Sequence, residues 1–348
     1  MWQHEITQVI PLLDDQGNLT QAGWARKPYP LYDRNAVKVN RLRLKEWDYY
    51  LVANDRFGLA LTIADNGYMG LDSISFLDFE TKEQITKSPM RVMPRGKTGL
   101  PPASDRGVTA ISGKGYGMTF LHVEDPELGP ARQLLFQMDD YRDGQPIQGS
   151  ITLFAEPEES VTICTPFDKP GHFYYNQKIN CMRASGTVTI GADVYRFDPA
   201  DSFGVLDWGR GVWTYENTWY WGSASGLADG VPFGFNLGYG FGNTSAATEN
   251  ILVYDGKVHK LSHVKFHIPG RPGREDFLSP WTFTSDDGRF EMEFVPILDR
   301  ASCTDFKVLK SDQHQVFGRF TGKAVLDDGR VVEVRDFLGF AEKVMNKW

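Results

Sequence analysis

The chain has 348 residues, 41% hydrophobic and 24% charged, an ordinary globular composition at a length that favours two domains over one. Its net charge of -8 argues against nucleic acid as the main partner, since phosphate binding needs a basic surface. No run of about 18 apolar residues is present to span a membrane, and the three widely spaced cysteines, Cys164, Cys181 and Cys303, fit a reducing cytoplasm better than a disulfide framework.

In chain order, the opening MWQHEITQVIPLLDDQG has no basic start, long apolar run or small-residue cleavage site, so no secretory signal is read and a cytoplasmic location is expected. Residues 1–40 are read as an extended arm, in which Trp24, Tyr29 and Tyr32 of GWARKPYPLYDRNAV favour docking over a solvated linker. His122, in MTFLHVED, is weighed as a ligand contact against a satisfied strand histidine. DDYRD (139–143) would need a helix to converge its carboxylates on magnesium, but it lies between strand-like runs and is read as a turn.

The stretch GVWTYENTWYWGSASG (211–226) reads as a strand. Period two places Trp213, Tyr215, Asn217, Trp219 and Trp221 on one face. Such a face is either core or the wall of a pocket; the amide of Asn217 points to the pocket, where apolar walls carry a few placed polar groups. Farther on, ILVYDGKVHKL, WTFTSDDGRFEMEF and KAVLDDGRVVEV each set an Asp-Gly turn between apolar or alternating runs, the hairpin signal. His259, His263 and His267 stand four apart, which on a strand separates neighbouring imidazoles by about 13 Å, too far to share a metal ion.

An internal repeat organises these strands. Gln177 matches Gln313, Arg183 matches Arg319, Ser185 matches Thr321 and Gly186 matches Gly322; after one gap, Gly204 matches Gly339 and Asp207 matches Glu342. The expected architecture is all-β: an arm, then two tandem antiparallel barrels, 41–204 and 205–348.

Chemistry is sought among the carboxylates and imidazoles beside the aromatics. Asp207 in DWGRG and Glu249 in ATEN are acid or base candidates, with Asp207 equally able to pair with Arg210. Asn217, Asn250, Glu249, His122 and His314 are candidate site residues; for His314, as for His122, a satisfied strand histidine competes. Asp207 and Glu342 occupy matching places, which suits a structural role.

GWARKP, KEWDYY, DWGRGVWTYENTWYWGSASG, FGFNLGYGFGNTSAATEN, HQVFGRFTG and GFAEKVMNKW together resemble the bacterial family catalogued as domain of unknown function 2804. More remotely, the duplicated barrel resembles the lipocalin-like group that includes carotenoid 1,2-hydratase and tocopherol cyclase. That likeness implies two calycin-type barrels and an isoprenoid or lipid ligand handled without metal or organic cofactor. In such chemistry an acid protonates an alkene, aromatic faces stabilise the cation, and water or an internal hydroxyl captures it. Asp207 is the nearest positional analogue of an acid at the barrel junction. Expected, then, is a binder of a hydrophobic or amphipathic small molecule, with or without hydration, cyclisation or isomerisation. A non-catalytic carrier and a carbohydrate-active protein are the alternatives.

Overall fold

The computed structural model describes residues 3–306 and 309–347. Among them there is no α-helix, only two single-turn 3-10 helices, Arg34–Ala36 and Arg41–Arg43. Nineteen strands form the main paths of two antiparallel sheets. In the first they are β1 (Leu44–Ala53), β2 (Phe57–Asp65), β3 (Met69–Asp78), β4 (Glu83–Lys87), β5 (Val108–Gly113), β6 (Tyr116–Asp125), β7 (Gly129–Arg142), β8 (Gln145–Phe154), β9 (Phe173–Ile190) and β10 (Phe203–Val212). In the second they are β11 (Glu216–Ala228), β12 (Val231–Tyr239), β13 (Ile251–Tyr254), β14 (Lys257–Lys260), β15 (Val264–His267), β16 (Trp281–Ser285), β17 (Phe290–Phe306), β18 (Leu309–Val325) and β19 (Val331–Lys347).

The strand orders are β4-β3-β2-β1-β10-β9-β8-β7-β6-β5 and β14-β13-β12-β11-β19-β18-β17-β16-β15. Their centres correspond: β8-β9-β10-β1-β2-β3 repeats as β17-β18-β19-β11-β12-β13. Gly186 and Gly322 occupy the same geometry in the two series, with φ of +142° and +157° and a partner-strand carbonyl (Ser150, Glu291) 2.2 Å from where a Cβ would sit. Only glycine fits either place. The run HKLSHVKFH breaks at residues 261–263 into β14 and β15, which lie at opposite ends of the second order. Three residues joining two edges require the sheet to curl until those edges are near.

Each sheet wraps its own apolar core. Tyr50, Val52, Leu206, Trp208 and Val212 face the first, whereas Phe233, Phe235, Val316 and Ala341 face the second. The alternate side chains of the same strands point outward, where the two sheets pack against each other along a seam. DWGRG illustrates this period: Trp208 joins the first core, while Asp207 and Gly209 face the seam. A Cβ on Gly209 would lie 2.0 Å from the Trp47 indole, so the glycine makes room for that ring.

The Asp255-Gly256 turn between β13 and β14 has φ of +49° and +77°, the paired left-handed geometry of a two-residue hairpin. The arm docks: Trp24 and Tyr32 are buried, and Gly23–Ala25 pairs with Val161–Pro166. DDYRD is mostly strand, β7 running through a bulge to Arg142 before Asp143-Gly144 turns the chain. The three cysteines are free. No helix among the described residues is long and apolar enough to cross a membrane.

Candidate functional site

The seam gathers polar groups from both sheets. Asp207 lies in register with Lys178 on β9 and Tyr49 on β1. Facing that row across the seam, Glu342 lies in register with Trp221 on β11 and Gln315 on β18. The rows meet where the Tyr49 and Trp221 rings pack edge to face, centroids 5.8 Å apart.

Lys178 is the hub. Its Nζ lies 3.0 Å from Asp207 Oδ1, 3.7 Å from Glu249 Oε2 and 4.4 Å from the centroid of Trp221, and it donates to Tyr174 Oη at 3.2 Å. Only 3% of its side chain is exposed. An ammonium so buried costs several kcal/mol unless paired, which these contacts supply. Asn176 adds a 2.6 Å hydrogen bond to Asp207, and Asn236 links Trp221 to Glu249, accepting from the indole at 2.7 Å and donating to the carboxylate at 3.3 Å. Glu342 accepts from the Trp219 indole at 2.8 Å and from Gln315 at 3.0 Å.

Burial dominates the electrostatics. It pushes the Glu342 carboxyl up to about 7, opposed by the Trp219 hydrogen bond and the Arg300 charge and reinforced by Asp207. Burial also raises Glu249, with Lys178 acting against it and Asp207 with it. The Tyr174 hydroxyl is driven well above its ordinary range by burial and by the charges of Glu249, Asp207 and Glu342, so it stays a neutral donor.

Aromatic rings close one end of the cluster. Trp213 packs on Trp47, Trp219 and Phe241 with centroids 5.3, 5.7 and 5.0 Å away, and Trp47 stacks on Tyr174. At the other end is a cleft of about 290 Å³. Its lining residues Leu51, Val205 and Ser223 are each two residues along their strand from Tyr49, Asp207 and Trp221, hence the next side chains on the same face. Its apolar lining includes Phe203, Phe317 and Leu338; the polar groups include Asn54, Asp201 and Arg335. A wider opening of about 520 Å³, over Ile111, Leu135 and Gln148 of the first sheet, has no residue of the acid cluster in its lining.

The structure therefore brings together Asp207, Glu249, Trp213, Trp219 and Trp221. Other expected residues lie apart. The strand begins at Glu216, so the alternation holds from Asn217 to Trp221; the preceding residues cross between sheets, leaving Tyr215 42% exposed. Asn217 donates to Thr214 O at the head of the strand. Asn250 is fully buried and braces the Glu249 loop, accepting from Gly238 N–H and donating to Ser262 O. His122 on β6 contacts Gly107 O, and His314 bonds Asp299 at 2.6 Å and stacks on Phe277. Asp207 does not pair with Arg210: positions three apart on a strand face opposite ways, and Arg210 bonds Asp48 in the first sheet at 3.1 Å.

Lys178, Tyr174, Asn236 and Glu342 complete the cluster. Period two in YYNQK carries part of the missing signal, since it places Tyr174, Asn176 and Lys178 on one face. Among the described residues no group of three or more His, Cys, Asp or Glu side chains is placed to hold a metal ion.

The sequence matches, over residues 3–348, the family model described as domain of unknown function (DUF2804). No curated protein matches. Among solved structures, the chain is similar to kievitone hydratase from Nectria haematococca at 11% identity, covering 97% of this chain and 98% of that one with a TM-score of 0.48. It is also similar to CghA with Sch210972 at 14% identity, covering 86% and 88% with a TM-score of 0.48.

Proposed function

The chain belongs to the DUF2804 family, and we propose that it performs acid–base chemistry on an apolar or amphipathic small molecule held in the seam between its two sheets. The observation that carries this reading is the pairing of Asp207 and Glu249 with one buried ammonium, Lys178, beside a third buried carboxyl, Glu342, which feels the charge of Asp207 and is bonded by the Trp219 indole. A carboxyl with a pKa of about 7 holds a proton for much of the time at neutral pH, the property required of a general acid.

Glu342 is the proposed proton donor, Glu249 a second carboxyl of raised basicity, and Asp207 the carboxylate fixed by Lys178 and Asn176. In a hydration the carboxyl proton forms a C–H bond as the alkene π bond breaks. A water oxygen then bonds the cationic carbon, and its released proton returns to a carboxylate, so the sum is addition of water. In an isomerisation the cation instead loses a proton from the adjacent carbon to the carboxylate. The faces of Trp219 and Trp221 stabilise the cation, an attraction of up to about 2 kcal/mol per ring when water is excluded. The proton comes from the chain's own side chains, so the proposal needs no cofactor. The cleft beside Leu51 and Val205, lined by both apolar and polar side chains, is the entry.

The test is mass spectrometry of an organic-solvent extract of freshly purified protein beside the Trp219→Ala variant. A defined isoprenoid or lipid is expected from the parent and absent from the variant, and incubation of that molecule with fresh protein is expected to give a product that Glu342→Gln does not form. A molecule bound but returned unchanged assigns a carrier instead. Empty extracts from both proteins would count against the pocket.

A further inference from the structure

A second cleft, of about 660 Å³, opens where the docked arm, the start of β9 and the crossover from β10 to β11 meet. It shares no lining residue with the cleft on the seam. Two cationic side chains line it, Arg43 and Lys169, with the imidazole of His172, which burial and those two charges hold below its ordinary pKa, beside Val39, Pro170 and Tyr215, and none of its lining side chains is acidic. In a chain where Asp and Glu outnumber Lys and Arg by 45 to 37, this concentration is local and specific. Residues 34–45 hold five basic groups and no acidic one.

The cleft is braced from several sides. Arg43 donates to Trp213 O at 3.1 Å, which fixes its guanidinium at the crossover. The loop carrying Lys169 and His172 turns at Gly171, whose φ is +70° and whose N–H donates to Asn18 Oδ1 at 2.9 Å; a Cβ there would press on Val39 at 3.0 Å. His172 is buried and its Nδ1 lies 3.0 Å from Pro170 O. Lys169 and Tyr215 stand exposed at the mouth.

We propose that this cleft binds an amphipathic organic anion, a carboxylate on an aromatic or aliphatic body. Arg43 and Lys169 take the charged end, and Val39, Pro170 and Tyr215 take the apolar end. Two lining cations without a lining carboxylate favour anions, and apolar walls of this volume suit an organic body over a hydrated inorganic ion. The site is independent of the acid cluster, so its fate and that of the proposed catalysis are separable.

Calorimetric titration with 1-naphthoate, with its neutral isostere naphthalene-1-carboxamide and with inorganic phosphate tests it on the full chain. The carboxylate is expected to bind at least about tenfold more tightly than the amide, and Lys169→Glu to lose about tenfold in naphthoate affinity. Tyr215→Ala is expected to weaken naphthoate as well, through the apolar wall. Both residues are exposed, so neither variant threatens the fold. Equal affinity for acid and amide, unchanged naphthoate binding by Lys169→Glu, or displacement of naphthoate by phosphate at equal concentration would each overturn the proposal.

Discussion

Glu342 carries the clearest consequence at the scale of one residue. Burial holds its carboxyl at about 7 in the folded protein against an ordinary value of 4.5, so between these values the folded state binds more protons than the unfolded one. Stability contributed by the protonated form is complete below about pH 4.5 and is lost as pH rises through 7, with a slope of up to about 1.4 kcal/mol per pH unit. Glu342→Gln keeps an acceptor for the Trp219 indole and removes the titration. Thermal denaturation from pH 5 to pH 8 is therefore expected to show the variant gaining on the parent as pH rises. A constant offset would mean that Glu342 is not the group burial keeps protonated. The sequence placed Asp207 and Glu342 in matching positions but could not place them face to face, because their meeting depends on how the outer surfaces of two sheets dock. Lys178 was hidden for the same reason, since no short motif joins it to Asp207, 29 positions along the chain.

Elements were more legible than contacts. Asp-Gly turns and period two mark the hairpins of the second sheet because both are local properties of the backbone. The start of the aromatic strand was not legible, since Trp213 and Tyr215 continue the alternation in sequence while the chain is crossing from one sheet to the other. The arm is an element whose docking rests on aromatic content alone, and Trp24 shows how it is held. The indole is 3% exposed, lies in the cluster with Val161, Val258 and Ile251, and takes cation contacts from Arg26 at 5.1 Å and Lys260 at 5.4 Å. Trp24→Ala is expected to cost about 3–5 kcal/mol in urea unfolding, the usual loss for a large aromatic removed from a packed site. A cost below about 1 kcal/mol would mean that the arm adds little beyond its three-residue strand.

For the whole molecule, the two sheets repeat one strand order, and the repeat assigns the C-terminal segment a place it would not have in an independent tail. β19 is a central strand, bonded to β11 along Glu216–Ala224 and to β18 along Lys310–Val325. Ending the chain at Gly339 deletes Phe340 from the seam, Ala341 from the second core and Glu342 from the acid cluster. It also leaves the first half of β11 and much of β18 with unpaired backbone groups facing each other across a gap. The matching strand of the first sheet, β10, is likewise central, between β1 and β9, which is why the repeat and the hydrogen-bond ladders lead to the same expectation. Expression of residues 1–339 is expected to give insoluble protein, and any soluble fraction is expected to lack the cooperative unfolding transition of the parent. A truncated chain that purifies normally and unfolds in one sharp step would show that β11 and β18 can close without β19, and the correspondence between the sheets would then be one of sequence and not of structural necessity.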